Sequence, residues 1–434
     1  MTVITSSEQL DNSQTNEVVI ANTKLRVENL YKVFGPSPEA SIEKLKKGVT
    51  RDEIMKKSRN VPAVIDASFS VAQGETFMIM GLSGSGKSTI IRCLNRLHDP
   101  SAGSVIIDDE DITKIDDHRL REIRRTKIAM VFQHFALLPH KTVLENVEFG
   151  LKIRGTLTEE DRKKAQDTLD VVGLKGWGDR LTADLSGGMQ QRVGLARALA
   201  TEPEILLMDE PFSALDPLIR RDMQDELINL QQTLQKTIIF ITHDLNEALK
   251  MGDHIAVMKD GRIVQIGTPE EIVSNPANDY VAAFTSDVNR GLVFTASSIM
   301  KQADTLTITH DTIKTASVRL RQTKSDAMYV VDRQRKPIGL VTDQDIARAV
   351  RKGGELKLDT VMITEFPQTE ENTPLGEVLT LCGDSLPIAV VSETGKFRGI
   401  LEPLDVLSSV SPINTDEANG NEKSADIAEP KESE

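Results

Sequence analysis

Residues 81–89 place the tightest constraint on the fold, because they read Gly-Leu-Ser-Gly-Ser-Gly-Lys-Ser-Thr and directly follow the apolar run 75–80. They fit G-x-x-x-x-G-K-[ST], a loop whose backbone N–H groups turn inward around phosphate oxygens. A strand before the loop and a helix after it complete the site, since the helix N-terminus adds its positive end. We therefore predict an α/β domain that binds ATP, with Lys87 at the β- and γ-phosphates and Ser88 on Mg²⁺. The predicted phosphate-binding residues are Gly81, Leu82, Ser83, Gly84, Ser85, Gly86, Lys87, Ser88 and Thr89.

A second apolar run, 205–208, ends in Asp209 and Glu210. A strand buried on both faces reads as a continuous apolar run, and functional groups collect at its carboxyl end. Asp209 is expected to hold Mg²⁺ through water, and Glu210 to polarise the attacking water as a general base. An Asp-Glu pair alone would mean little, but after this strand and downstream of a phosphate loop it indicates ATP hydrolysis.

Length and charge limit the classes of function. With 434 residues, 39% of them hydrophobic, the chain can fill two or three cores. A formal charge of −14 argues against a nucleic-acid partner, because phosphate binding needs a basic face. No apolar stretch approaches the roughly 20 residues that span a bilayer, so any work at a membrane requires another chain.

Apolar runs alternate with amphipathic stretches over residues 22–284, which is typical of an α/β domain. Residues 41–60 interrupt this pattern and are predicted to be a helical insertion between two early strands. Residues 1–21 are polar, have little to bury, and are predicted to be disordered.

A linker at 285–294 is predicted to lead to a repeat at 295–410. Two valines, and further on a glycine with two aliphatic residues, occur in both halves, 295–351 and 358–410. Each half is predicted to be a strand–strand–helix unit that packs against the other, since neither buries its apolar face alone. The acidic residues 411–434 are predicted to be a disordered tail.

One string identifies a family. Residues 185–190 read Leu-Ser-Gly-Gly-Met-Gln and precede a helix, and this resembles the signature motif of ABC ATPases. Gln133 looks like the Q-loop, residues 213–216 like the D-loop, and His243 like the switch histidine, all in family order. Phe34 stands where the family places an aromatic ring against adenine, although Tyr31 is a nearby alternative. The fold that this resemblance implies is a P-loop NTPase cassette with a helical subdomain.

The resemblance also implies how the motifs work. Glu210, His243 and Gln133 would be catalytic, with His243 at the γ-phosphate, and Mg²⁺ would be held by Ser88, Gln133 and Asp209. Two head-to-tail copies would sandwich two ATP molecules, so that the signature serves the nucleotide of the opposite subunit. The residues that would act in trans are Ser186, Gly187, Gly188, Gln190 and Asp216.

The insertion at 41–60 and the C-terminal repeat, which looks like a tandem CBS module, are similar to those of glycine betaine/L-proline importer ATPases. This resemblance implies a homodimer on the cytoplasmic face of the membrane, bound to permease subunits and served indirectly by an extracytoplasmic solute-binding protein. Partner chains select the solute, so choline, carnitine and proline remain alternatives to glycine betaine.

CBS pairs often bind adenosine-containing ligands through a threonine followed three residues later by an aspartate. Thr342 and Asp345 match this pattern. In the second half Glu402 replaces the threonine, although Asp405 remains, and a carboxylate there would repel a ligand phosphate.

The first half also contains a basic cluster that includes Arg333, Arg335 and Lys336. Attraction of such a cluster to anionic lipid would be screened by salt. Nucleotide binding, sensing of ionic strength and a structural role all remain open for this module. Two other classes are alternatives for the whole chain: an ABC ATPase that is not a transporter, and a regulatory nucleotide-binding protein with an inactive cassette.

Overall fold

The computed structural model describes residues 22–133, 136–286, 288–352, 357–383 and 386–410. The two segments predicted to be disordered, 1–21 and 411–434, lie outside these residues. The chain forms two compact units that divide between Ala282 and Ala283. The sequence places the end of the first domain slightly later, at residue 284.

The first unit contains ten strands and eleven α-helices within its described residues. The strands are β1 Thr23–Phe34, β2 Val61–Ala72, β3 Thr76–Met80, β4 Ala102–Ile107, β5 Glu110–Asp111, β6 Ile128–Val131, β7 Ile205–Asp209, β8 Thr237–Thr242, β9 His254–Lys259 and β10 Arg262–Gly267. The helices are α1 Pro38–Lys46, α2 Arg51–Lys57, α3 Lys87–Leu94, α4 Asp117–Thr126, α5 Val143–Arg154, α6 Glu159–Val171, α7 Gly187–Leu199, α8 Pro217–Leu234, α9 Leu245–Met251, α10 Pro269–Ser274 and α11 Asp279–Thr285, the last of which crosses into the second unit.

Two sheets build this unit. A six-stranded sheet has the order β10-β9-β3-β8-β7-β6, in which β10 alone is antiparallel to its neighbour. An antiparallel sheet has the order β2-β1-β4-β5. Since β3, β7 and β8 run parallel, their carboxyl ends meet at one edge, where the loops after them come together.

The main core contains apolar side chains from both sheets and from α3. Ile90, Ile91, Cys93 and Leu94 of α3 are fully buried in it. Burying one such aliphatic side chain contributes about 1.5–3 kcal/mol, so this packing fixes the helix that begins at the phosphate loop.

The predicted insertion is a pair of helices, α1 and α2, separated by a turn at Gly48 with φ 87°. Ile42, Leu45 and Ile54 pack onto the antiparallel sheet, in a cluster that includes Tyr31 of β1. The insertion is therefore fixed to the sheet by its apolar face. Helices α5, α6 and α7 pack on one another as a separate helical layer.

The second unit contains two three-stranded sheets with the same topology, in which the first strand is parallel and the third antiparallel to the middle strand. The strands are β11 Thr305–Thr307, β12 Ala327–Val331, β13 Pro337–Thr342, β14 Gln368–Glu370, β15 Ile388–Val391 and β16 Phe397–Leu401. The helices are α12 Ala296–Ile299, α13 Ile313–Thr323, α14 Asp343–Lys352, α15 Leu375–Val378 and α16 Pro403–Val410.

The two halves of this unit exchange their leading segments. Ala296 packs in the core of the second half, and Leu358 packs in the core of the first. The compact halves therefore differ from the contiguous ranges 295–351 and 358–410. Exchange buries apolar side chains that a contiguous half would leave exposed. Within the described residues, no helix is both long and apolar enough to cross a membrane.

Candidate functional site

The phosphate loop connects β3 to α3 and is folded tightly. Gly81 and Gly86 have φ values of 150° and 105°. A Cβ on Gly81 would lie 2.3 Å from the carbonyl oxygen of Met258, and one on Gly86 would lie 2.2 Å from that of Ala63. Any larger residue would therefore push the loop off the strands beneath it. Gly84, with φ 79°, faces open space instead.

Lys87 begins α3 and lies inside the loop. Its ammonium group donates to the carbonyl oxygens of Gly81, at 2.8 Å, and Leu82, at 3.2 Å. Burial lowers the pKa of Lys87, while the carboxylates of Glu210 and Asp209 act in the opposite direction. Lys87 Nζ is 3.8 Å from a carboxylate oxygen of Glu210, so the loop and the end of β7 form one site.

The carboxyl ends of β7 and β8 bring two predicted catalytic groups together. Glu210 donates its backbone N–H to the carbonyl of Ile241 at 3.1 Å and has φ 46°, a left-handed conformation that is uncommon for a non-glycine residue. Its Oε2 is 3.1 Å from Nδ1 of His243, which follows β8. The histidine side chain remains half exposed, as a group that must meet a ligand would be.

Asp209 is the last residue of β7 and is almost completely buried. Its Oδ2 is 3.2 Å from a guanidinium nitrogen of Arg92 on α3. Its Oδ1 is buried with no hydrogen-bond partner among the described residues. A buried carboxylate oxygen in this state fits a hydrated cation, because it would otherwise lose its solvation without compensation.

Gln133 reaches the same site from the end of β6. Its Nε2 donates to Oγ of Ser213 at 3.4 Å, and that hydroxyl donates to the carbonyl of Glu210 at 3.0 Å. The predicted Q-loop and D-loop therefore touch each other beside the predicted general base.

The two candidate aromatic residues differ in burial. Tyr31 is 5% exposed and is covered by the insertion, whereas Phe34 is 38% exposed. The ring of Phe34 packs edge-on against His98, with 5.3 Å between centroids. Phe34 can offer a ring face to a base, and Tyr31 cannot.

The signature segment lies at the surface and makes local contacts. Ser186 caps α7 by accepting the N–H of Met189 at 3.4 Å, and Gln190 Nε2 donates to the carbonyl of Thr182 at 3.0 Å. A Cβ on Gly188 would lie 2.5 Å from Ile219 of α8, so the signature and the D-loop helix pack closely. Ser186, Gly187 and Asp216 are exposed.

The predicted regulatory residues occupy two places in the second unit. Thr342 Oγ1 donates to Asp345 at 2.7 Å, so the two side chains pair with each other at the start of α14. A cavity of ≈ 770 Å³ is lined instead by residues that include Arg335, Arg398 and Glu402. Arg333, Arg335 and Lys336 are exposed.

Sequence reasoning assigned no individual role to three residues that contact the site. Arg92 pairs with Asp209, Ser213 joins Gln133 to Glu210, and Arg51 of the insertion donates to the carbonyl of Gly84. Two of them had a sequence signal: Ser213 belongs to the predicted D-loop, and Arg92 lies one helical turn beyond Ser88 in the helix after the loop.

Comparison with known proteins agrees with this geometry. The family model for the ABC transporter matches residues 64–213, and the model for the CBS domain matches residues 296–352. The chain is 49% identical over 379 residues to the glycine betaine transport ATP-binding protein OpuAA of Bacillus subtilis (strain 168), covering 87% of this chain and 90% of that protein. It is 46% identical over 390 residues to the glycine betaine/carnitine transport ATP-binding protein GbuA of Listeria monocytogenes, covering 90% and 98%.

Among solved structures, cbiO1 from Clostridium perfringens, part of the ABC transporter complex cbiONQ, aligns with a TM-score of 0.50 at 28% identity, over 59% of this chain and 92% of that chain. The first unit is thus an ATP-binding cassette of the ABC class, and it is followed by a CBS unit. The chain belongs to the family of ATP-binding subunits of glycine betaine ABC transporters, and it is an ATPase. The predicted fold class and family are confirmed, which removes the two alternative classes.

Proposed function

We propose that this chain works as a homodimer at the cytoplasmic face of the membrane, where it powers import of glycine betaine or a related compatible solute. The proposed ATP hydrolysis rests on one observation: four side chains lie together at one edge of the sheet, those of Lys87, Asp209, Glu210 and His243. The names of the relatives carry the proposal for the solute. Permease subunits would bind the cassettes, and an extracytoplasmic solute-binding protein would deliver the cargo to them.

Different residues of the site would bind different parts of MgATP. The loop N–H groups and Lys87 bind the phosphates, and Phe34 contacts the base. Ser88, Gln133 and, through water, Asp209 would hold Mg²⁺, which would supply charge neutralisation at the phosphates. The orphaned Oδ1 of Asp209 supports this ligand set. Lys87 has little room to move, because α3 is anchored in the core.

Glu210 and His243 handle the attacking water. The 3.1 Å contact with Nδ1 of His243 holds the Glu210 carboxylate in place, and the left-handed backbone at Glu210 fixes the direction of its side chain. Glu210 accepts the proton of the water as it attacks, and the imidazole orients both the carboxylate and the γ-phosphate. Hydrogen bonds link Gln133 to Ser213 and Ser213 to the backbone carbonyl of Glu210. A movement of the Q-loop would therefore shift the backbone of Glu210 and, with it, the carboxylate.

Replacing Lys87 by Ala tests the assignment of the phosphate loop. Hydrogen bonds to charged groups contribute about 1.5–3 kcal/mol each, so we expect ATP affinity to fall about 10- to 100-fold. Titration of the full-length chain with MgATP by calorimetry measures this. Lys114→Ala, at a surface lysine outside the site, is the control. An Lys87→Ala variant that binds ATP as tightly as the control would overturn the assignment.

The surface around the signature supports a dimer. Leu218 and Ile219 at the start of α8 are 73% and 40% exposed, next to the exposed Ser186 and Asp216. An apolar patch beside anion-binding groups fits a partner cassette that presents ATP. Since two-fold symmetry pairs each phosphate loop with the other subunit's signature, both sites would form together.

A groove beside the Q-loop is a candidate surface for the permease. It has a volume of ≈ 430 Å³ and lies between β6 and α5, with Phe132 in its lining. Leu97, Phe149 and Ile153 line it and are 50%, 37% and 50% exposed. Phe149 and Ile153 are four residues apart on one face of α5, so they can receive an apolar helix of a partner.

We expect Ile153→Asp to reduce ATP-driven solute uptake by about tenfold, because a charge in this groove opposes docking of an apolar segment. Nucleotide binding by the isolated chain should not change. Val171→Asp provides a matched control, since Val171 is also 50% exposed on the neighbouring α6 and lies outside the groove. Equal losses in both variants would show that the groove has no special role.

The solute is tested in vesicles that contain the whole transporter. We expect ATP inside the vesicles to drive uptake of radiolabelled glycine betaine, and unlabelled glycine betaine to compete better than choline, carnitine or proline. Stronger competition by one of those three would transfer the assignment to that solute. Uptake that does not need ATP would contradict the proposal.

A further inference from the structure

The side chain of Arg51 connects the insertion to the phosphate loop. Arg51, the first residue of α2, has a side chain that is 19% exposed. Its guanidinium donates through Nε to the carbonyl of Pro62 at 3.0 Å and through Nη2 to the carbonyl of Gly84 at 3.3 Å. Its Nη1 is 3.4 Å from a carboxylate oxygen of Asp260. One side chain therefore joins the insertion to three other segments.

These three segments already meet around the phosphate loop. The close approach of Gly86 to Ala63 brings the loop against β2. Gly261, in the turn between β9 and β10, donates its N–H to the carbonyl of Ser85 at 2.9 Å, and its own carbonyl accepts the N–H of Ile65 at 2.7 Å. Arg51 contacts all three of these segments: β2, the β9–β10 turn and the loop.

Gly84 is the residue of the loop whose carbonyl accepts from Arg51. It has φ 79°, and a Cβ there would meet nothing within 4 Å, so the loop is open on that side of Gly84. A phosphate loop works only if its carbonyl groups point away from the anion while its N–H groups point inward. A cationic donor on the Gly84 carbonyl favours that orientation of the peptide.

We propose that Arg51 is a positioning residue for ATP binding, which holds the Gly84 peptide of the phosphate loop and so makes the insertion part of the nucleotide site. The planar fork of the guanidinium matters here, because it presents several donors at fixed angles to three acceptors. A lysine has the same charge but only a single ammonium group, which cannot reach the three acceptors together. This inference rests on the proposed assignment of the loop to ATP.

The test compares steady-state ATP hydrolysis by full-length variants. We expect Arg51→Gln to raise KM for ATP about three- to tenfold while kcat changes less than about twofold, because Glu210, His243 and Ser186 remain in place. Arg51→Lys should also raise KM. Lys57→Gln, which removes one exposed charge from the same helix, should leave KM at the wild-type value.

A second variant covers the possibility that Arg51→Gln does not fold. Asp260→Asn changes an exposed side chain that contacts Arg51, and we expect KM to rise about twofold, with no further rise when it is added to Arg51→Lys. Wild-type KM in Arg51→Lys and in Asp260→Asn, or an equal rise in Lys57→Gln, would overturn the inference. Lys87→Ala separates the two proposals: if it loses affinity while the Arg51 variants do not, the loop assignment stands and only the role of Arg51 fails.

Discussion

Glu210→Gln is expected to bind ATP as wild-type protein does and to hydrolyse it about 10³-fold more slowly, since an amide cannot accept the proton of the attacking water. The substitution preserves the size of the side chain and a hydrogen bond to His243. It removes the negative charge that lies 3.8 Å from Lys87, so affinity should not fall. The variant should accumulate as an ATP-bound dimer, which the wild-type chain forms only transiently.

Two measurements on the full-length chain check this expectation. Steady-state phosphate release gives the rate, and sedimentation with and without MgATP gives the dimer. Glu202→Gln is a suitable control, because Glu202 is an exposed carboxylate away from the site. Wild-type turnover in Glu210→Gln would remove Glu210 from the role of general base, and loss of ATP binding would make it a binding residue instead.

Much of this site was predictable because its signals are local. The glycines, Lys87 and the apolar run before them specify a strand, a loop and a helix within a few residues. The pairing of Glu210 with His243 required one more step. Each follows an apolar strand, and parallel strands bring their carboxyl ends to one edge. The contact itself depends on β7 and β8 being neighbours, which no local pattern states.

The parts that the sequence did not predict depend on distant packing. The sequence favours Phe34 over the nearby Tyr31 only by family position, and it does not show that the insertion covers Tyr31. Arg51 makes two of its three contacts with backbone carbonyls. Since every residue has a backbone carbonyl, no sequence motif predicts these two contacts. The exchange of leading segments in the second unit follows from which apolar faces meet, and two similar halves leave that choice open.

The regulatory residues show the same limit. Thr342 and Asp345 match a ligand-binding pattern, yet in the structure they bond to each other and do not line the cavity that contains Arg335 and Glu402. A threonine followed three residues later by an aspartate predicts that the two side chains are close. It does not predict whether they face the open cavity of the second unit. These residues therefore remain candidates for regulation.

The central claim is that each ATP is bound by the phosphate loop of one subunit and the signature of the other. Mixed dimers test it, with Lys87→Ala as the loop lesion and Ser186→Arg as the signature lesion, each on a differently tagged chain. Ser186 and Gly187 at the start of α7 are exposed, and the Ser186 hydroxyl accepts the N–H of Met189 in its own segment, so Ser186→Arg should leave ATP binding by one chain intact.

The decisive measurement is ATP hydrolysis by purified mixed dimers in two arrangements. With the lesions on opposite chains, both fall in one composite site, the other site is intact, and we expect about half of the wild-type rate if the sites act independently. With both lesions on one chain and a wild-type partner, each composite site has one lesion, and we expect the rate to fall about 100-fold or more. The opposite order, with activity retained only when one chain carries both lesions, would mean that each subunit contains a complete site and would contradict the account.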